Sequence, residues 1–128
     1  MSYHFSKTVD VSMDQAIEHV TAALAAKGFG VLTTIDVRAT LKRKLNVDFR
    51  PYIILGACNP SFAYKALQAE DKIGAMLPCN VVLQHVGDGR IEVSAVDPVA
   101  SMQAIDNPSL GSTAGEVRQL LKQVVEGL

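Results

Sequence analysis

The chain has 128 residues, which suits one domain. Hydrophobic residues make up 48% and charged residues 20%, enough apolar surface to build a core, so wholesale disorder is excluded. Twelve basic and thirteen acidic side chains leave a formal charge of −1, so no global basic field exists to hold nucleic acid or an anionic membrane. Two cysteines are too few for a disulfide scaffold. No apolar run reaches the roughly 18 residues of a membrane span. The start, Met1-Ser2-Tyr3-His4-Phe5-Ser6-Lys7, lacks the charged and apolar regions of a secretory signal. A cytoplasmic, reducing location is the expectation. Tryptophan is absent and aromatics are only 5%, so the core must rest on Val, Leu, Ile and Ala.

Tyr3 to Val11 alternates loosely and reads as a first strand. Ser12 stands three residues before Gln15, the spacing of a capping box. Ile17, Val20, Ala23 and Leu24 then recur at helical spacing, and Gly28 ends a helix over 13–27. Phe29 to Ile35 is rich in β-branched residues and reads as a second strand. Asp36 can cap a short helix over 37–45, whose Val37, Leu41 and Leu45 recur four apart and which Asn46 can stop. That helix carries Arg38, Lys42, Arg43 and Lys44, the one basic cluster. Its plain reading is a solvated face; its sharper one is an anion-binding rim with Arg38 and Lys42 one turn apart.

Arg50-Pro51 breaks the chain, and Tyr52 to Cys58 is a mostly apolar run suited to a buried central strand. Asn59 is placed to cap a helix over 60–70, with Pro60 at the first helical position. Phe62, Ala63, Ala66 and Leu67 mark its expected buried side. A polar loop at 70–72 leads to a strand opening at Leu77-Pro78-Cys79-Asn80 and running to Val86. Gly87-Asp88-Gly89 predicts a hairpin loop, and Arg90 to Val96 the returning strand. Asp97-Pro98 closes it as a turn, and residues 99–106 form an irregular helical segment stopped by Asn107-Pro108. Thr113 and Glu116 have capping-box spacing, and Val117, Leu120, Leu121, Val124 and Val125 give a helical stripe to the end. The order β-α-β-α-β-α-β-β-α predicts a single α+β domain over 1–128, with a largely antiparallel sheet and helices packed on one face.

Familiar catalytic signatures are missing: no phosphate-binding glycine loop, no nucleophile elbow and no H-E-x-x-H occurs. Nothing in the motifs points to an enzyme. What stands out is Cys58-Asn59-Pro60 and Pro78-Cys79-Asn80. Cys58 is expected at a strand end just before a helix, whose positive N-terminus favours a thiolate. Cys79 is expected at a strand start. Antiparallel strands would bring both sulfurs to one rim of the sheet; parallel ones would separate them by roughly 20 Å. Each cysteine is also read simply as a small buried hydrophobe. His85, six residues beyond Cys79, is a possible third ligand for a soft metal such as Zn or Cu, or an ordinary strand histidine. Two thiolates alone leave a tetrahedral zinc site two ligands short.

The stretch Ile54-Leu55-Gly56-Ala57-Cys58-Asn59-Pro60, followed by Ile73-Gly74-Ala75-Met76-Leu77-Pro78-Cys79-Asn80, resembles the domain of unknown function 302 family, and Val93 to Pro98 and Asn107-Pro108 are similar to its pattern. The resemblance runs over nearly the whole chain. It implies a compact α+β domain with a TATA-box-binding-protein-like fold, a homodimer, and no assigned activity or cofactor. Three readings follow, in this order. The first is a homodimeric small-ligand binding or sensing module with a polar pocket around Cys58, Asn59, Cys79 and Asn80, with Arg38 and Lys42 as an anion rim. The second is a thiol-redox or metal-handling protein in which Cys58 attacks and Cys79 resolves. The third is a structural interaction domain.

Overall fold

The computed structural model describes residues 2–128. Strand β1 (His4–Val9) leads through Ser12 into helix α1 (Met13–Ala26), where the expected capping box forms in both directions with Gln15. Strand β2 (Gly30–Asp36) passes directly into α2 (Val37–Leu45), and Asp36 Oδ1 accepts from the Ala39 N–H at 2.9 Å, satisfying one of the first-turn donors. Asn46, at φ 53°, ends α2 in the left-handed region. Strand β3 (Tyr52–Cys58), helix α3 (Pro60–Ala69), a single 3-10 turn (Ile73–Met76) and strand β4 (Cys79–His85) follow. The β4–β5 hairpin turns through Gly87, Asp88 and Gly89, all at positive φ, where glycine avoids the Cβ clash. Strand β5 (Ile91–Val96), a four-residue helix α4 (Pro98–Ser101), a 3-10 turn (Pro108–Leu110) and α5 (Gly111–Glu126) complete the chain.

The five strands form one antiparallel sheet in the order β1-β5-β4-β3-β2. This is the α+β architecture expected, with β4 rather than β3 at the centre: β3 lies second from the edge, so its full burial is confined to Leu55, Gly56 and Ala57. Strand alternation divides the sheet sharply. Leu55, Ala57, Cys79, Val81, Leu83, Ile91, Val93 and Ala95 face inward and pack against Ala16, Val20 and Leu24 of α1 and Val117, Leu121, Val124 and Val125 of α5. The other face bears polar side chains of β1, β5 and β4. A second small cluster, Ala66, Ile73 and Leu110, seats α3 and both 3-10 turns beside the sheet.

Three local expectations need correction. Thr113 and Glu116 do not cap α5, because the chain is already turning helically from Pro108 and Thr113 sits inside the helix; Asn107 Oδ1 instead accepts from the Ser109 N–H at 3.1 Å. Asn59 precedes α3 but its side chain makes no cap; Nδ2 reaches back to the Lys27 carbonyl at 3.5 Å, tying the α1–β2 turn to the start of α3. Finally, Leu67, expected on the buried side of α3, is 47% exposed; α2, read mainly as a solvated helix, buries none of its residues.

Candidate functional site

Antiparallel pairing of β3 and β4 sets Ala57 directly opposite Cys79, so Cys58, one residue further on, lies at the same rim of the sheet. Of the two arrangements open from sequence, this is the one that brings the cysteines together. Cys79 faces inward and is buried; Cys58 is half-buried where β3 gives way to α3, and both are free thiols. Burial pushes the Cys79 thiol up to about 11, and Cys58 beside it adds a smaller push in the same direction. A buried thiol resists ionisation because the thiolate loses its hydration. Cys79 is therefore a thiol, not a thiolate, at neutral pH.

Both cysteines line a cavity of about 40 Å³ between α3, α5 and the end of the sheet. Set beside the roughly 150 Å³ of an engineered cavity that holds benzene, the space suits a ligand of only a few heavy atoms. Phe29, Phe62, Leu77, Met102, Leu110 and Val117 supply most of the wall, and Asn59 and Thr113 are the only polar neighbours besides the thiols. The pocket expected to be polar is thus apolar. Its walls come from elements distant in sequence, and only the register of the sheet assembles them.

Pro78 reaches this rim by packing across Gly56. A Cβ at Gly56 would lie 2.7 Å from Pro78 Cγ and 2.2 Å from Thr33 Oγ1, so the position admits no side chain without displacement. The Leu77-Pro78 peptide bond is cis.

The remaining sequence candidates separate. Asn80 pairs with Gly56 on the outer face and is exposed, because adjacent strand residues point to opposite sides. It lines a different concavity from Cys79. Arg38 and Lys42 sit on α2, which follows the Asp36 end of β2; the cysteine rim pairs with Gly30 at the other end. Lys42 pairs in solvent with Asp48 at 3.3 Å. His85 ends β4 six residues from Cys79, roughly 20 Å along an extended strand. Cys58, Cys79 and His85 therefore do not form one ligand set, and among the described residues no three His, Cys, Asp or Glu side chains cluster as metal ligands would.

One arrangement went unseen in the sequence. Asp97, 7% exposed, is more than the turn residue expected: Oδ1 accepts from the Val99 and Ala100 N–H groups at 3.0 and 3.4 Å, and Oδ2 accepts from Arg118 Nε at 3.1 Å. Arg118 also lies over the Phe5 ring, 5.1 Å from its centre. Residues 97 and 118 are brought together only by tertiary packing, so the sole sequence signal is their opposite charge.

With this geometry in hand, comparison with known proteins gives a consistent result. The family described as "Domain of unknown function DUF302" matches residues 5–128. A crystal structure of an uncharacterized conserved protein DUF302 from Bacillus stearothermophilus superimposes with a TM-score of 0.90 at 28% identity, covering 98% of each chain. No curated protein matches. The chain belongs to the DUF302 family, as its cysteine motifs suggested. Among the described residues no helix is long and apolar enough to cross a membrane.

Proposed function

We propose that this DUF302 chain is a small-ligand binding or sensing module whose site is the apolar cavity at the cysteine rim. The observation that carries the reading is the cavity itself, which has Cys58 and Cys79 in its wall and almost no polar lining. Such a space selects by size and apolarity, and an almost wholly apolar lining offers water few hydrogen-bond partners to hold it against a small apolar molecule. The ligand class is a small apolar or soft, sulfur-compatible molecule of a few heavy atoms. We place it in a homodimer, which the family resemblance implies, and in the cytoplasm, which the sequence composition leads us to expect.

Dimethyl sulfide is a suitable probe, followed through backbone amide shifts. Binding predicts saturable shifts at Cys58, Phe62, Cys79 and Ala114, abolished by Ala63→Leu, which fills the cavity from its half-buried α3 side. Shifts that rise linearly without saturation, or that survive the filled cavity, would overturn the reading.

A second reading, thiol-redox or soft-metal chemistry, draws on the sharing of one rim by the two cysteines. It ranks lower because the burial that raises Cys79 starves it of thiolate, the reactive species in exchange and the ligating form for metals.

A further inference from the structure

The outer face of the sheet carries a built polar relay that the cysteine cavity does not use. The register places Thr8, Glu92, Gln84 and Tyr52 in one row across β1, β5, β4 and β3. Along that row Arg50 Nε donates to Gln84 Oε1 at 2.9 Å, and Gln84 Nε2 donates to Glu92 Oε1 at 3.3 Å. The direction is fixed by chemistry. Arginine only donates, so it takes the amide oxygen of Gln84 and turns the amide nitrogen toward the carboxylate. Arg50 is itself held over the rings of Phe49 and Tyr52, 4.5 and 5.6 Å from their centres. The guanidinium is thereby kept on the far side of Gln84.

The relay ends on a half-buried carboxylate with capacity to spare. Among the described residues Glu92 forms no ion pair, and its second oxygen receives no hydrogen bond from them. It borders an outer-face concavity of about 300 Å³, the lower end of the range for small-molecule sites. Val82 and Val96 supply an apolar floor, and Tyr52 and Tyr3 add ring surface that suits a cation. Glu92 is the only acid or base in this lining other than His4 and the two tyrosines, and His4 Nδ1 is engaged with Ser6 Oγ at 2.7 Å.

We propose that this concavity binds a small organic cation, a primary ammonium or guanidinium group on a short alkyl chain, with Glu92 as its counter-charge and Gln84 as the residue that positions Glu92. A carboxylate held at one oxygen by a clamped amide offers the other to a donor without first losing rotamer freedom. Charge complementarity selects the cation, and the valine floor selects a short apolar tail.

The test uses the full chain with n-butylammonium chloride and sodium butyrate at matched ionic strength, followed by amide shifts. The proposal predicts saturable shifts at Tyr52, Gln84, Glu92 and Ser94 with butylammonium and none with butyrate. Glu92→Gln should weaken binding at least tenfold, and Gln84→Leu several-fold, each with an unchanged circular dichroism spectrum. Equal responses to the two ions, no saturable response to butylammonium, or full affinity in Glu92→Gln would overturn it. The wild-type comparison stands whether or not a variant folds. Ala63→Leu, on the other side of the sheet, should leave butylammonium binding intact, so failure of the cysteine-cavity reading is distinguishable from failure of this one.

Discussion

Cys79 faces the core and Asn80 faces solvent, although they are neighbours in the chain. A strand points successive side chains to opposite faces, so a motif written Cys-Asn in sequence contributes to two different surfaces in space. The cysteine belongs to an almost wholly apolar cavity and the asparagine to a concavity of mixed polar and apolar lining. Reactivity and ligand preference on the two sides of the sheet follow from that division.

The two thiols should react at different rates in the folded protein. Half-buried Cys58 is predicted to label with a disulfide reagent at pH 8 as a single fast phase of one thiol per chain, while Cys79 follows much more slowly. Burial denies Cys79 both access and thiolate. Two thiols released together in the fast phase would contradict the burial described.

Cys79 also makes stability depend on alkaline pH. Its thiol is raised from 9.0 to about 11 on folding. The native state therefore holds the proton more tightly than the unfolded chain. The associated stability is fully present below pH 9 and is lost as pH rises through 11. At 1.36 kcal/mol per pH unit the loss is about 3 kcal/mol. Urea unfolding at pH 8 and pH 10.5 should reveal much of this decline, and Cys79→Ala should flatten it, costing about 1–2 kcal/mol at pH 8 and little or nothing at pH 10.5.

Asp97 is predicted to matter more than Arg118. Replacing Asp97 by Ala removes the acceptor for two helix N–H groups and leaves Arg118 without its partner, costing about 2–3 kcal/mol. Arg118→Ala should cost about 1 kcal/mol, since the arginine is 39% exposed and Asp97 keeps its cap bonds. Denaturant midpoints of the two variants check the order.

Gly56→Ala should destabilise by about 1–3 kcal/mol, the usual range for overpacking. Removing the Thr33 hydroxyl with Thr33→Ala should rescue only part of this, because the Pro78 ring still lies 2.7 Å from the new methyl. Full rescue would show that Pro78 yields, contrary to this packing. By the same logic Asn59→Ala should cost well under the roughly 1 kcal/mol of a true cap, whereas Asn107→Ala should reach it. Asn107 Nδ2 donates to the Ala69 carbonyl at 2.7 Å while its Oδ1 accepts from the Ser109 N–H and hydroxyl.

The strands, the main helices and the hairpin were legible because their signals are local. Ser12 with Gln15, Asp36 before α2 and the Gly87-Asp88-Gly89 turn each act within a few residues. Leu67 misled because periodicity shows that a helix has an apolar side, not how far its neighbours cover it. Alternation alone could have separated Cys79 from Asn80. The apolar character of the cavity could not have been read, since Phe29, Phe62, Met102 and Val117 meet there only through tertiary packing. The same holds for the Gln84–Glu92 hydrogen bond, which needs the β4–β5 register as well as the rotamers.

Crystals equilibrated with xenon test the central claim most directly, because xenon reports an accessible apolar cavity without chemistry of its own. The account predicts a bound atom in the cavity between α3, α5 and Cys79, in contact with Phe62 and absent from Ala63→Leu. A cavity that stays empty under xenon pressure, or an atom that persists in the filled variant, would contradict it.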